Sequence, residues 1–254
     1  MPPPSRPSAV EPFSHQGTEV GVLLCHGFTG SPASLRPWAD RLAAEGFSVR
    51  LPLLPGHGTS WREMNRTTFR DWLGEVSAAL SELRRQCRAV VVGGLSMGGA
   101  LALRLAELNP GTIAGIVLVN PSVMSLRREM AALPILKHLV PSLKGVTDDI
   151  AKPGVTELGY GRTPLKAVDA LRKGWDATRA DLAQVSLPVL LLHSRVDHVV
   201  EPENSRLILD RISSTDVTEI VLEKSFHVAT LDFDADLIID ESVAFIRRVT
   251  KESA

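Results

Sequence analysis

Apolar positions along the chain fall into two alternating patterns. Short continuous runs occur at Val20–Cys25, Phe47–Leu51, Ala89–Val92, Ile113–Val119, Val189–Leu192 and Val217–Leu222. Several contain little but Val, Ile and Leu, as expected of strands covered on both faces. Between most of them the apolar residues recur every three or four positions, as on one face of a helix. Strand-sized and helix-sized segments in strict alternation predict βα units around a mostly parallel sheet with helices on both faces.

Local signals place the helix starts. Ser31-Pro32 offers a capping hydroxyl followed by a proline at the first helical position, ahead of Leu35, Trp38, Leu42 and Ala43. Thr68 and Asp71 have capping-box spacing in front of Trp72, Val76, Leu80 and Leu83. A last amphipathic helix is predicted from about Asp234 to Val249.

Two stretches break the rhythm. Residues 1–18 hold five prolines and little periodicity, and read as a flexible N-terminal arm. Residues 122–186 have no clear buried strand, interior prolines that include Pro134, Pro141 and Pro153, and short apolar clusters. That is too long for a plain strand-to-strand connection, so it reads as a lid (cap) inserted into a core made of residues 19–121 and 187–254.

Composition narrows the class. The 254 residues are 44% hydrophobic and 22% charged, with a formal net charge of −1, which gives no electrostatic reason to bind nucleic acid. Two cysteines make no disulfide framework; as free thiols they suit a reducing, cytoplasmic setting. No secretory h-region and no apolar stretch of spanning length occur.

The chemistry is carried by Gly94-Leu-Ser96-Met-Gly98, which follows an apolar run and opens a helical one. A serine on so tight a turn needs glycine two residues to either side, and the next amides fall at a helix N-terminus, where they attract negative charge. A flexible glycine loop or a phosphate loop are the alternatives; no Gly-Lys-Ser/Thr follows to support the latter. Ser96 is therefore the candidate nucleophile. An oxyanion hole needs one N–H from the residue after the nucleophile and one from the loop after the first strand, which selects Met97 and Phe28. His26 precedes the serine, against the expected order Ser…Asp/Glu…His, and reads as a brace for its loop.

The acid is expected after a late strand, and Asp197 is the acidic residue following Val189–Leu192. A helix cap is its alternative role. The base is expected after the last strand, where His227 follows Val217–Leu222. His198 adjoins Asp197 too closely to be oriented by it. A metal reading of His193, Asp197 and His198 lacks a supporting ligand cluster, and the serine mechanism requires neither metal nor cofactor.

Taken together, His26-Gly-Phe-Thr-Gly-Ser-Pro32, Gly56-His-Gly-Thr59, Gly94-Leu-Ser-Met-Gly-Gly-Ala100, Asp197-His-Val-Val200 and His227-Val-Ala-Thr-Leu-Asp232 resemble the bacterial monoacylglycerol lipases and related carboxylesterases, over residues from about 20 to 249. The resemblance implies an α/β-hydrolase fold with a short lid after the sixth family strand, and hydrolysis of a monoacylglycerol to fatty acid and glycerol. General carboxylesterase activity on shorter esters is the alternative, and a non-catalytic ligand-binding hydrolase fold a more distant one. It further implies that Glu157 bonds the glycerol hydroxyls, assisted by Asn120; a solvated lid position is the other reading of Glu157. The lid is where the sequence departs most from the family, and Met124, Leu126, Met130, Leu133, Ile135 and Leu136 are candidates for an acyl channel or for packing. The expected partners are a small lipid ester and, at most, transient contact with a membrane surface, with the enzyme a monomer or homodimer.

Overall fold

The structure, a computed structural model, describes residues 10–251. Strands β1 (Phe13–His15), β2 (Val20–Cys25) and β3 (Ser48–Leu51) frame helix α1 (Arg36–Ala44). The short α2 (Trp61–Met64) and long α3 (Phe69–Gln86) lead to β4 (Ala89–Leu95), α4 (Met97–Leu108) and β5 (Gly115–Val119). Then come α5 (Leu133–Leu139), β6 (Ser142–Lys144), β7 (Arg162–Pro164) and α6 (Leu165–Asp181). The chain closes with β8 (Val189–Ser194), α7 (Glu203–Arg211), β9 (Val217–Leu222) and α8 (Ala235–Thr250).

Seven strands form one sheet in the order β1-β3-β2-β4-β5-β8-β9, and only β1 runs antiparallel to its neighbour. Side chains alternate across it. Leu23 and Cys25 join a core with Trp72 and Val76 of α3, Leu101 of α4 and Leu171 of α6. Val22 and Leu24 join the opposite core with Trp38 and Leu42 of α1 and Ile238 and Ile246 of α8. Both faces of the central strands are thus dry, which is why their sequences are continuously apolar. The mostly parallel α/β architecture is the one expected.

Each of the six apolar runs forms a strand, with shifted ends. Phe47, Ile113 and Ala114 lie outside their strands, while β4 extends through Gly93 and Gly94 to Leu95. The Thr68/Asp71 capping box is formed: Thr68 Oγ1 accepts the Asp71 N–H, and Asp71 Oδ2 accepts the Thr68 N–H at 2.8 Å.

The expected N-terminal arm needs correcting over its last part. Phe13–His15 pairs with Leu51–Val49 as an edge strand, and the Arg36 guanidinium lies 4.4 Å from the centre of the Phe13 ring. Residues 1–9 of that arm lie outside the described residues.

Within residues 122–186, α6 does not sit above the sheet. It packs against α3 and α4, burying Ala167, Leu171 and Trp175 in the same core. The part before α6 holds α5 and the antiparallel β6–β7 pair. Helix α5 is tied to α6 by Lys137 Nζ, 2.6 Å from the buried carboxylate of Asp169. Arg172 and Lys173 also reach that carboxylate, and together the three cations hold its pKa down at about 2 against the opposing effect of burial. Both cysteines are buried and free. No helix among the described residues is long and apolar enough to cross a membrane.

Candidate active site

The ends of β2, β4, β8 and β9 lead into the loops that carry the candidate residues, so parallel pairing brings distant sequence positions to one sheet edge. Strand β4 stops at Leu95 and α4 starts at Met97. The whole reversal falls on Ser96, at φ 57° and ψ −117°, a region sparsely populated for a residue with a side chain. The surroundings hold it there. Ser96 N–H donates to the Val119 carbonyl at 3.0 Å, and its own carbonyl accepts the Ser122 N–H at 3.1 Å.

The flanking glycines follow from space. A Cβ on Gly94 would overlap the Gly98 carbonyl, and one on Gly98 would overlap the carbonyl of Cys25 at the end of β2. This close approach presses the serine turn against the loop after β2. A Cβ on Gly27 would already stand 3.5 Å from Ser96 Cβ.

That loop carries Phe28. His26 is fully buried and fixes it: its Nε2 accepts the Leu54 N–H at 3.2 Å, so its Nδ1 carries the proton and donates to the Gly27 carbonyl at 3.0 Å. Burial pushes the His26 pKa down to about 4, and the side chain is a neutral brace. Phe28 lines the same cavity as Ser96. Met97 is the first residue of α4, a position whose N–H has no intrahelical acceptor.

Asp197 and His227 meet directly. Asp197 Oδ2 is 2.8 Å from His227 Nδ1, while Oδ1 accepts the N–H groups of Val199 and Val200, both at 2.8 Å. An ionised carboxylate is acceptor-only, so His227 Nδ1 donates, and in the neutral imidazole Nε2 keeps a lone pair. Burial opposes both charges, yet the pairing wins: Asp197 is held below its ordinary range and His227 is raised above 6.5, with Glu157 and Asp149 adding to the latter. His198 and His193 go elsewhere, onto Asp149 and Glu219 respectively.

Ser96 and His227 line one cavity of about 180 Å³. Its lining includes the apolar Met130, Leu171 and Trp175 and the carboxylates of Glu157 and Asp149. Burial raises the Glu157 pKa above its ordinary value of 4.5, opposed by its bond from the Asp148 N–H and by His227. Of the acyl-channel candidates, Met124 and Met130 line this cavity. Leu126 and Ile135 are 57% and 72% exposed, and Leu133 is buried in packing. A larger depression, about 810 Å³, lies between Phe13, Arg50 and Glu82, and none of Ser96, Asp197 and His227 lines it.

Asn120 is not available to a ligand, which corrects the role expected for it. It is buried at the end of β5, with φ 43°. Its Nδ2 donates to Ser194 Oγ and to the His227 carbonyl, and its Oδ1 accepts the Ser194 N–H. It braces the histidine loop against β8. Asp232 plays a similar part: its two oxygens accept the N–H groups of Phe226 and Phe233 from the histidine loop, and of Ala151 and Lys152 from the segment between β6 and β7. The sequence offered only its place at the end of the His227 motif as a hint.

Residues 18–234 match the Hydrolase_4 family model, described as serine aminopeptidase, S33. A thermostable monoacylglycerol lipase of Bacillus sp. (strain H-257) is 42% identical over 95% of this chain and 96% of its own length. A carboxylesterase of Bacillus subtilis (strain 168) is 26% identical over 94% of this chain and 97% of its own. A solved structure from work on LipS and LipT, two metagenome-derived lipolytic enzymes, superposes with a TM-score of 0.92 at 41% identity, covering 95% of this chain and 98% of the other.

Proposed function

The chain belongs to the Hydrolase_4 family, and from that premise we propose that it is a monoacylglycerol lipase with Ser96, Asp197 and His227 as its catalytic triad. It is a serine hydrolase that cleaves carboxylic esters; the lipid substrate and the residue roles are our reading. The observation that carries the roles is the lining of one cavity by a serine on a strained turn and a histidine whose Nδ1 is committed to a buried aspartate.

In this reading His227 Nε2 takes the Ser96 proton as Oγ attacks the ester carbonyl. Asp197 fixes the tautomer and offsets the charge of the imidazolium. The carbonyl oxygen becomes an oxyanion facing the N–H groups of Phe28 and Met97, each donor worth about 3–4 kcal/mol of barrier. Collapse breaks the acyl–oxygen bond, and His227 returns the proton to the departing alkoxide to release glycerol. Water, deprotonated by the same imidazole, then attacks the acyl-enzyme and frees the fatty acid and Ser96.

The substrate assignment rests on the cavity's mixed apolar and polar lining and on the likeness to the Bacillus lipase. Met124, Met130, Leu171 and Trp175 offer an apolar wall to an acyl chain. Glu157, held by Asp148 at 3.3 Å, offers an acceptor to the glycerol hydroxyls. The stretch 122–186 is read as the lid, its part before α6 supplying Met124, Met130, Val146 and Glu157 to the cavity wall. A cytoplasmic setting accords with two buried free thiols, and transient membrane contact with the exposed Leu126, Ile135 and Leu139 of this lid.

Activity on monoacylglycerols with C8 to C18 chains, compared with short nitrophenyl esters, tests the reading. Higher kcat/KM on the monoacylglycerols is expected. Hydrolysis confined to acetate and butyrate esters would replace it with the carboxylesterase reading, which the Bacillus subtilis relative favours.

A further inference from the structure

Between β6 and β7 lies Asp149, which no motif singled out. Its side chain is 11% exposed. Oδ2 accepts the backbone N–H of His227 at 3.1 Å and that of His198 at 3.2 Å. Oδ1 lies 2.7 Å from His198 Nδ1, and the Asp149 carbonyl accepts the Val228 N–H at 3.0 Å. The His198 ring then stands edge-on to Phe226, 4.7 Å between centres. One residue of a third segment therefore grips the loop that carries Asp197 and the loop that carries His227.

These loops follow different strands, β8 and β9, and the Asp197–His227 bond requires their spacing to hold to about 0.5 Å. We propose that Asp149 is a positioning residue for the hydrolysis: it clamps the backbone of His227 and the acid loop in the register that lets Asp197 orient the imidazole. The inference rests on the triad reading above. A carboxylate suits the task because its two oxygens take all three side-chain-directed donors, whereas an amide has one oxygen and would turn an N–H₂ group toward one of them. Asp149 is also the third carboxylate around His227, with Asp197 and Glu157, and the His198 ring bonds its other oxygen. Removing its charge therefore lowers the pKa of the imidazole.

Asp149→Asn and His198→Ala are compared with wild type for thermal midpoint, for kcat on a nitrophenyl butyrate, and for the pH profile of kcat/KM. Asp149→Asn is expected to lose about 10–100-fold in kcat, the cost of a small misplacement, with KM little changed and the acid limb moved to lower pH. His198→Ala, at a half-exposed ring, is expected to fold normally and lose kcat several-fold at an unchanged midpoint. A lowered midpoint in Asp149→Asn with wild-type kcat and an unmoved limb would reduce Asp149 to a structural clasp and overturn the proposal. If Asp149→Asn does not fold, wild-type kcat in His198→Ala overturns it. Labelling of wild-type Ser96 by a fluorophosphonate separates the two levels: an unlabelled wild type defeats the triad reading, while a labelled wild type with unaffected variants defeats only the clamp.

Discussion

Asp197 Oδ2 sits 2.8 Å from His227 Nδ1, and both side chains are less than a tenth exposed. The pair's charge is therefore poorly screened by water, and each partner's protonation depends on the other.

Replacing the acid while keeping its shape should expose that dependence. In Asp197→Asn the carboxamide no longer dictates a proton on Nδ1, and the imidazole can adopt the tautomer that presents N–H to Ser96. Loss of about 10⁴-fold in kcat is expected, with a folded protein by circular dichroism. Retention of a tenth of wild-type kcat would show that Asp197 is not the orienting acid.

The pH dependence follows from the direction of the His227 shift. The fold favours the charged imidazole, so with Asp197 ionised the raised His227 pKa contributes stability that is fully present below pH 6.5 and lost as pH rises through the raised value. Catalysis needs the neutral form and moves the opposite way: kcat/KM should climb with pH, with its acid-limb midpoint above 6.5. A midpoint below that of free imidazole would contradict the assignment.

Gly98→Ala tests the close approach behind the nucleophile. Its new methyl would overlap the Cys25 carbonyl, backbone that cannot rotate away as a flexible side chain could. A loss of about 1–3 kcal/mol or more is expected in denaturant unfolding, together with loss of activity. Wild-type stability would mean that the turn and β2 are not pressed together.

Glu157→Ala addresses the acceptor that Glu157 brings to the cavity lining. Loss of a charged acceptor should cost about 1.5–3 kcal/mol in kcat/KM on a monoacylglycerol. Because Glu157 also favours charge on His227, the deciding quantity is the ratio to a nitrophenyl ester. An equal change on both substrates would exclude a glycerol-binding role.

Much of this arrangement is legible in the sequence because parallel βα folds write their strands as uninterrupted apolar runs and place function on the loops that follow. Ser96, Asp197 and His227 each come shortly after such a run, in the expected order. Edge strand β1 is hidden because three residues beside Pro12, with one side open, need no apolar pattern. The bracing bonds of Asn120 leave no local sign, since its partners, Ser194 and the His227 carbonyl, come from β8 and the loop after β9 and meet it only on folding. Asp149 is silent for the same reason: its partners lie at His198 and His227. Helix α6 has the periodicity of any amphipathic helix, and nothing local says that its apolar residues meet α3 and α4 as well as the cavity beside Ser96.

The most direct test of the central claim is reaction with a fluorophosphonate followed by peptide mass spectrometry, on wild type, Ser96→Ala and His227→Ala. A single adduct on Ser96 in wild type, absent from Ser96→Ala and strongly slowed in His227→Ala, is the predicted result. Adduct formation on another residue, or labelling of Ser96 at wild-type rate without the His227 imidazole, would contradict it.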